Sequence, residues 1–241
     1  MITDPLFYAA AIPAVLLFGI SKGGFGGGLG TAAVPLMALV VSPVQAAVIL
    51  LPILCLMDLV ALWKFRGKWV WPELRILLPA SLLGILVGTL LFGYMSPFVV
   101  KLIVGTVAIT FTLHYWISRH RYRQPSLPDF PRKYGIVGAS VAGFTSFVAH
   151  AGGPPINMYL LRRPLNRTDF AATTIVFFAV VNYVKLVPYT WLGQFDATNL
   201  ATSAALAILA PIGVLTGAWL ATGRWTRRAA RPRDALPPDA A

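Results

Sequence analysis

Apolar residues run in long blocks separated by short polar or basic stretches. The blocks cover Leu6 to Ile20, Gly30 to Val41, Val44 to Trp63, Leu74 to Tyr94, Pro97 to Ile117, Tyr134 to Ala149, Gly153 to Leu161, Phe170 to Leu192 and Leu200 to Thr222. A helix needs about 20 apolar residues to cross a bilayer, so five of these blocks predict spanning helices. The other four are too short to span alone, and they come in two pairs. Ser21 to Leu29 joins the first pair and His150 to Gly152 the second. Each pair predicts a re-entrant or broken-helix hairpin, which at membrane depth is viable only where protein or a water-filled cavity satisfies the exposed backbone. The pattern as a whole predicts an all-α integral membrane protein with about seven to nine hydrophobic segments.

Composition agrees with the pattern. The 241 residues are 57% hydrophobic and 12% charged, whereas soluble domains carry about twice that charged share. A net charge of +12 on one solvated face would suggest nucleic acid. Here the basic residues lie between and beyond the apolar blocks, where they report topology and exclude a nucleic-acid partner. Four clusters carry them: Lys64, Arg66, Lys68 and Arg75; Arg119 to Lys133; Arg162, Arg163 and Arg167; and Arg224 to Arg233. The positive-inside rule places all four in the cytoplasm. The first hairpin then begins and ends outside, the second begins and ends inside, and the C-terminus is cytoplasmic. The outer connections around Ser42, Ser96 and Gln194 to Thr198 contain no Lys or Arg. No basic residue precedes the first apolar block, which reads as a retained membrane segment and not a signal peptide. Cys55 is the single cysteine, so neither an internal disulfide nor a thiolate metal cluster is expected.

Sliding the chain against itself by 119 positions aligns Gly19 with Gly138, Ser21 with Ser140, Gly24 with Gly143, Phe25 with Phe144 and Pro35 with Pro154. After small insertions, Ala46-Ala47 meets Ala171-Ala172, and Gly84-x-x-x-Gly88 meets Gly213-x-x-x-Gly217. The two halves therefore share an order of hairpin, helix, loop and helix. The extra helix from Pro97 turns the second copy upside down, as in inverted-repeat transporters. The expected divisions are residues 1–117 (first repeat plus inverting helix), 118–133 (basic linker), 134–222 (second repeat) and 223–241 (a disordered cytoplasmic tail held near anionic lipid).

Candidate chemistry sits in the hairpins and in three intramembrane charges. The run Gly23 to Gly30 can unwind and present backbone N–H groups beside Lys22, an arrangement that suits an anion. Close helix packing by glycine, with Lys22 snorkelling, is the competing reading. Gly24, Gly26, Gly27 and Gly28 are the backbone candidates on this side. Gly152, Gly153 and Asn157 are those at the second turn, where Pro154 and Pro155 fix the following half-helix. Lys22, Asp58 and Lys185 fall well within apolar blocks, where charge is expensive and marks function by default. Asn182 and Lys185 are three apart and share a helix face. Asp58 pairs with one of the two lysines or carries a proton. His150 carries a proton or simply bonds within the turn.

Three soluble-protein strings lack their context. Gly28-x-Gly30-x-x-Ala33 follows no strand, Gly19-x-Ser21-x-Gly23 has no strand-turn-helix setting, and Lys22-Gly23 is not a phosphate loop.

The run Gly19-Ile20-Ser21-Lys22-Gly23-Gly24-Phe25-Gly26-Gly27-Gly28-Leu29-Gly30 with Pro35, the run Gly143 to Pro155, and Asn182-Tyr183-Val184-Lys185 with Pro188-Tyr189 resemble the sulfite exporter TauE/SafE family of membrane transporters. The resemblance covers about Leu6 to Thr222. It implies a two-repeat helical transporter in a bacterial cytoplasmic membrane that moves small anions, sulfite and organosulfonates among them. The second repeat has Val148-Ala149-His150-Ala151 where the first has Leu29-Gly30-Thr31-Ala32, so the two halves of the site are not equivalent.

The resulting expectation is a secondary transporter working by alternating access, with Lys22, Lys185 and glycine-rich backbone binding the anion and Asp58 or His150 coupling a proton. Its partners are a small anionic substrate and membrane lipids, a homodimer is compatible with the sequence, and no metal or cofactor is expected. A passive anion channel would use the same lining. An intramembrane enzyme would need an acid pair or an activated nucleophile, and only one intramembrane acid is present.

Overall fold

The structure is a computed structural model that describes residues 1–24, 29–121 and 131–229. Its elements are α1 (Pro5–Gly24), a short 3-10 turn (Leu29–Ala32) running into α2 (Ala33–Met37), α3 (Pro43–Phe65), α4 (Trp71–Phe92), α5 (Pro97–Arg121), α6 (Arg132–Ala149), α7 (Gly153–Leu160), α8 (Arg167–Trp191), α9 (Ala197–Leu206) and α10 (Leu209–Ala229). Among the described residues there is no strand. Four helices, α1, α3, α4 and α8, are long and apolar enough to cross a membrane, and the bent pair α9 and α10 makes a fifth candidate.

Helix starts follow local chemistry. Ser42 caps α3 by accepting from Gln45 N at 3.1 Å, Asn166 caps α8 from Asp169 N at 2.9 Å, and Asp196 caps α9 from Asn199 N at 2.7 Å. Each satisfies an N–H that the helix itself leaves open.

Three elements differ from the sequence expectation. Leu6 to Ile20 reads as too short to span, yet α1 continues through Lys22 to Gly24 and is 20 residues long. The continuation is stable because the Lys22 ammonium finds buried acceptors, described below. The block from Leu200 to Thr222 is not one helix but two, bent by 41°. Pro211 explains the break: it brings no N–H for the carbonyl of Ala207, and its ring crowds that carbonyl. At its far end α10 runs on to Ala229, past the expected Thr222 boundary, and residues 230–241 of the expected tail lie outside the described residues.

The centre of the bundle is α3 with α8. Of the apolar window of α3, 67% is buried, against 39% for α4. On α4, Leu82, Leu83, Leu86, Val87, Leu90 and Leu91 are all exposed, a continuous apolar face that suits hydrocarbon and not water. Exposed Trp63 and Trp71 mark one end of the bundle, and exposed Tyr94 and Trp191 the other, as aromatic side chains do at both membrane interfaces.

Two close crossings hold the outer helices to the hairpins. In the α4–α6 crossing, a Cβ at Gly84 would fall on the Ser140 carbonyl and within 2.8 Å of Phe144 N, and Ser140 Oγ donates to Ala80 O at 3.0 Å. In the α1–α10 crossing, a Cβ at Gly19 would lie 2.8 Å from Gly213 Cα, and one at Gly217 would fall on the Ile20 carbonyl. Gly84, Gly213 and Gly217 thus sit where backbones approach too closely for a side chain, and Gly88 makes room for the Phe147 ring.

Polar bonds tie particular helix ends together. At one end Ile2 N donates to Thr202 Oγ1 at 3.0 Å, and Gln45 Nε2 donates to Asn199 Oδ1 at 3.1 Å. At the other, Val70 N donates to Thr173 Oγ1 at 3.0 Å, and Glu73 receives Tyr159 and Arg163. The starts of α1, α3 and α9 therefore share one end, and the starts of α4 and α8 share the other with the end of α7.

Gly84→Ala and Gly217→Ala are expected each to cost about 1–3 kcal/mol through overpacking. Gly105→Ala, where an added Cβ meets nothing within 4 Å, should leave stability unchanged or raise it. Thermal unfolding of the detergent-solubilised protein, followed by size-exclusion chromatography, checks the contrast.

Candidate functional site

Lys22, Asp58, Asn182, Lys185 and His150 all converge at the middle of the bundle. The sequence supplies them from α1, α3, the end of α6 and one face of α8. Leu54 and Asp58 are one turn apart on α3 and so present a carbonyl and a carboxylate on the same side. Lys22, near the end of α1, reaches both: its Nζ lies 2.5 Å from Asp58 Oδ1 and 3.2 Å from Leu54 O. Asn182 of α8 completes the carboxylate, donating from Nδ2 to Asp58 Oδ2 at 2.7 Å. The choice left open by the sequence is resolved here, since Asp58 pairs with Lys22.

Lys185, one turn further along α8, has a separate set of partners. Its Nζ is 2.9 Å from Ser146 O, 3.0 Å from Ser146 Oγ and 2.8 Å from His150 Nδ1. Three acceptors match the three N–H groups of an ammonium. His150 Nε2 is 2.8 Å from Ala47 O. A carbonyl only accepts, so Nε2 carries the proton and Nδ1 is free to accept from Lys185.

The backbone of His150 is left-handed, at φ 51° and ψ 27°. Non-glycine residues adopt that region rarely, and such strain persists where surrounding contacts impose it. Here α6 stops at this residue, and the strained turn is held from both sides of the imidazole, by α3 and by α8.

All five side chains are almost fully enclosed, with Asp58 and Lys185 at 0% exposure and Lys22 and His150 at 4%. A cavity of about 10 Å³ lies among them, lined by Lys22, Asn182, Ser146, His150 and Gly153, with Phe18 and Phe178 as apolar walls. That volume holds at most a single water. Gly153 opens α7, so the positive end of that half-helix faces the cavity.

The remaining sequence candidates lie elsewhere or out of view. Gly24 packs against α10, where a Cβ would strike Gly217 O and Ala221. Gly152 is pressed against Ala142, Ser146 and Phe178, leaving no space for a Cβ. Asn157 is half-buried on α7 and is not among the residues lining the cavity. Gly26, Gly27 and Gly28 lie outside the described residues.

Sequence reasoning missed two features. Ser146 supplies two of the three acceptors of Lys185, and nothing but its place in the run from Gly143 to Pro155 marks it. Glu73 is the other. It reads as part of a basic loop, yet it is buried, accepting from Tyr159 Oη at 2.8 Å and Arg163 Nε at 2.9 Å, with Arg163 Nη2 at 2.8 Å. The available signal was a lone acid at the start of an apolar helix, surrounded by Lys and Arg.

Among known proteins, the chain matches the family described as Sulfite exporter TauE/SafE over residues 11–231. No curated protein and no solved structure matches it.

Removing one partner of a buried ion pair leaves the other charge uncompensated, at about 3–5 kcal/mol. Lys22→Met and Asp58→Leu are each expected to destabilise by about that amount. The double variant should cost clearly less than the sum. A thermal-unfolding double-mutant cycle measures the difference.

Proposed function

The chain belongs to the sulfite exporter TauE/SafE family of membrane transporters, and from that membership and the buried charge network we propose that it carries small oxyanions of the sulfite and organosulfonate type across a bacterial cytoplasmic membrane by alternating access. Lys22, Lys185, Asn182 and the Gly153 end of α7 form the anion site. The observation that carries this reading is a cavity in the middle of an apolar bundle lined by Lys22, Asn182 and Gly153, with Lys185 bonded to Ser146 and His150 of its wall.

An oxyanion arriving at the cavity competes with Asp58 for the Lys22 ammonium. A carboxylate left buried without its partner is costly, so Asp58 takes a proton as the anion takes its place. One proton then moves with each monoanion, and the site's net charge stays constant. His150, already bonded to Lys185 through Nδ1, lies beside the cavity as a second group able to take part.

Alternating access draws support from the ends of the bundle. We take residues 1–117 and 134–222 as two repeats of opposite orientation that exchange their last helices, the bent pair α9 and α10 in one repeat answering α4 in the other. Gly84 of the first repeat lies on α6 of the second, and Gly213 of the second lies on α1 of the first. The polar ties are related in the same way. The start of α4 is bonded to α8 through Thr173, and the start of α9 is bonded to α3 through Gln45. Each end thus has its own tie. Both ties are made and the cavity is water-sized, which corresponds to an occluded state and favours a carrier over an open channel. By charge, the end bearing Glu73 and Arg163 is cytoplasmic, and the N-terminus is outside.

In proteoliposomes of purified protein, Lys22→Gln or Lys185→Gln is expected to lower anion flux at least tenfold while leaving membrane insertion intact. A panel of sulfite, sulfate, thiosulfate, sulfoacetate and simple carboxylates, read with an internal pH dye, tests substrate and coupling together. Asp58→Asn should abolish proton movement. Full flux without Lys22 and Lys185 would contradict the site.

A further inference from the structure

Outside the charged centre, a groove of about 450 Å³ between α5, α6 and α7 is unexplained. Val107, Val137, Val141, Pro154 and Met158 line it, with Tyr134 at one end and Thr145 at the other. It offers few donors. The Thr145 hydroxyl is engaged by Val141 O at 2.8 Å and Ala151 O at 3.2 Å, and the two prolines bring no N–H. Val137 and Val141 are 63% and 45% exposed, so an apolar wall stands open on the outer surface of the bundle.

The groove has the depth of one leaflet. Tyr134 and Thr145 are separated along α6 by about 16 Å at about 1.5 Å per residue, roughly half of a hydrocarbon core of about 30 Å. At the Tyr134 end the chemistry turns cationic. Arg132 and Lys133 are exposed there, and the Lys133 ammonium lies 5.6 Å from the centroid of the Tyr134 ring. α6 also begins at Arg132, with no side-chain cap from Pro131, so the positive end of the helix lies at the same level.

We propose that this groove is a binding site for one anionic glycerophospholipid, its phosphate held by Arg132, Lys133 and the start of α6, and one acyl chain lying between α5 and α6. The chain ends against Pro154 and Thr145. These residues form the outer side of the same turn whose inner side presents His150 and Ser146 to Lys185. An occupied groove therefore packs the second hairpin from behind. A second copy of the chain fits less well, because a two-fold contact through this groove brings Arg132 and Lys133 of both copies to the same level, where like charges repel.

The test uses full-length protein in phosphatidylcholine nanodiscs containing a trace of lipid with a photoactivatable acyl chain, on either a phosphatidylglycerol or a phosphatidylcholine headgroup. Crosslinks are mapped by peptide mass spectrometry. Labelling is expected to concentrate between Val137 and Met158 and to favour phosphatidylglycerol. Each basic residue near the surface is worth about fivefold, so Arg132→Ala combined with Lys133→Ala should bring the preference down to near parity. Val141→Trp, which fills the groove, should reduce labelling from both probes several-fold. The double alanine variant lies outside the packed core and keeps the test decisive if Val141→Trp fails to fold. Equal labelling by both headgroups, labels spread evenly over the exposed α4 face, or protein–protein crosslinks in place of lipid ones would overturn the assignment.

Discussion

Charge buried at membrane depth must be satisfied by protein, and the placement of Lys22, Asp58 and Lys185 follows from that constraint. Water is not available to compensate an ammonium or a carboxylate there, so each needs partners supplied by the fold. Asp58 receives one from α1 and one from α8. Lys185 receives three from α6 and its turn. These bonds tie both hairpins to the central helices. They also explain why α1 continues as a helix through Lys22 and why α6 stops in a left-handed turn at His150.

The same constraint gives the site its chemical possibilities. Both lysines are already bonded to acceptors, so an incoming anion gains only by displacing one of them. Asp58 is the replaceable acceptor, because a proton can neutralise it once displaced, whereas the Ser146 carbonyl and imidazole holding Lys185 are neutral already. In the proposed carrier, coupling of a monoanion to a proton follows from charge balance alone. In the proposed carrier the hairpins move before an oxyanion fits the water-sized cavity, which would link binding to the polar ties at the two ends of the bundle.

Much of this was legible in the sequence, and the exceptions have physical reasons. Apolar blocks gave the helices because a spanning segment must be apolar along most of its length. The three intramembrane charges stood out for the same reason. Their pairing was not readable, since Asp58 lies within plausible reach of either lysine and depth along a helix does not fix rotation about it. Glu73 was hidden by its basic neighbours, although Arg163, which neutralises it, lies 90 positions away along the chain. The bend between α9 and α10 was signalled by Pro211, but apolar content on both sides masked it. Gly24 shows the limit of composition: a glycine suited to anion binding by its backbone is occupied in helix packing against α10.

The most direct measurement is the distance across each end of the bundle, by pulsed electron paramagnetic resonance in proteoliposomes with Cys55 replaced by alanine. Spin labels at Lys68→Cys and Thr168→Cys report the end bearing Glu73 and Arg163. Labels at Leu39→Cys and Thr198→Cys report the opposite end. If the buried network is an occluded carrier site, adding sulfite across a proton gradient lengthens one distance population while the other stays short, and reversing the gradient exchanges them. Fixed distances under every condition, or both ends opening together, would contradict alternating access.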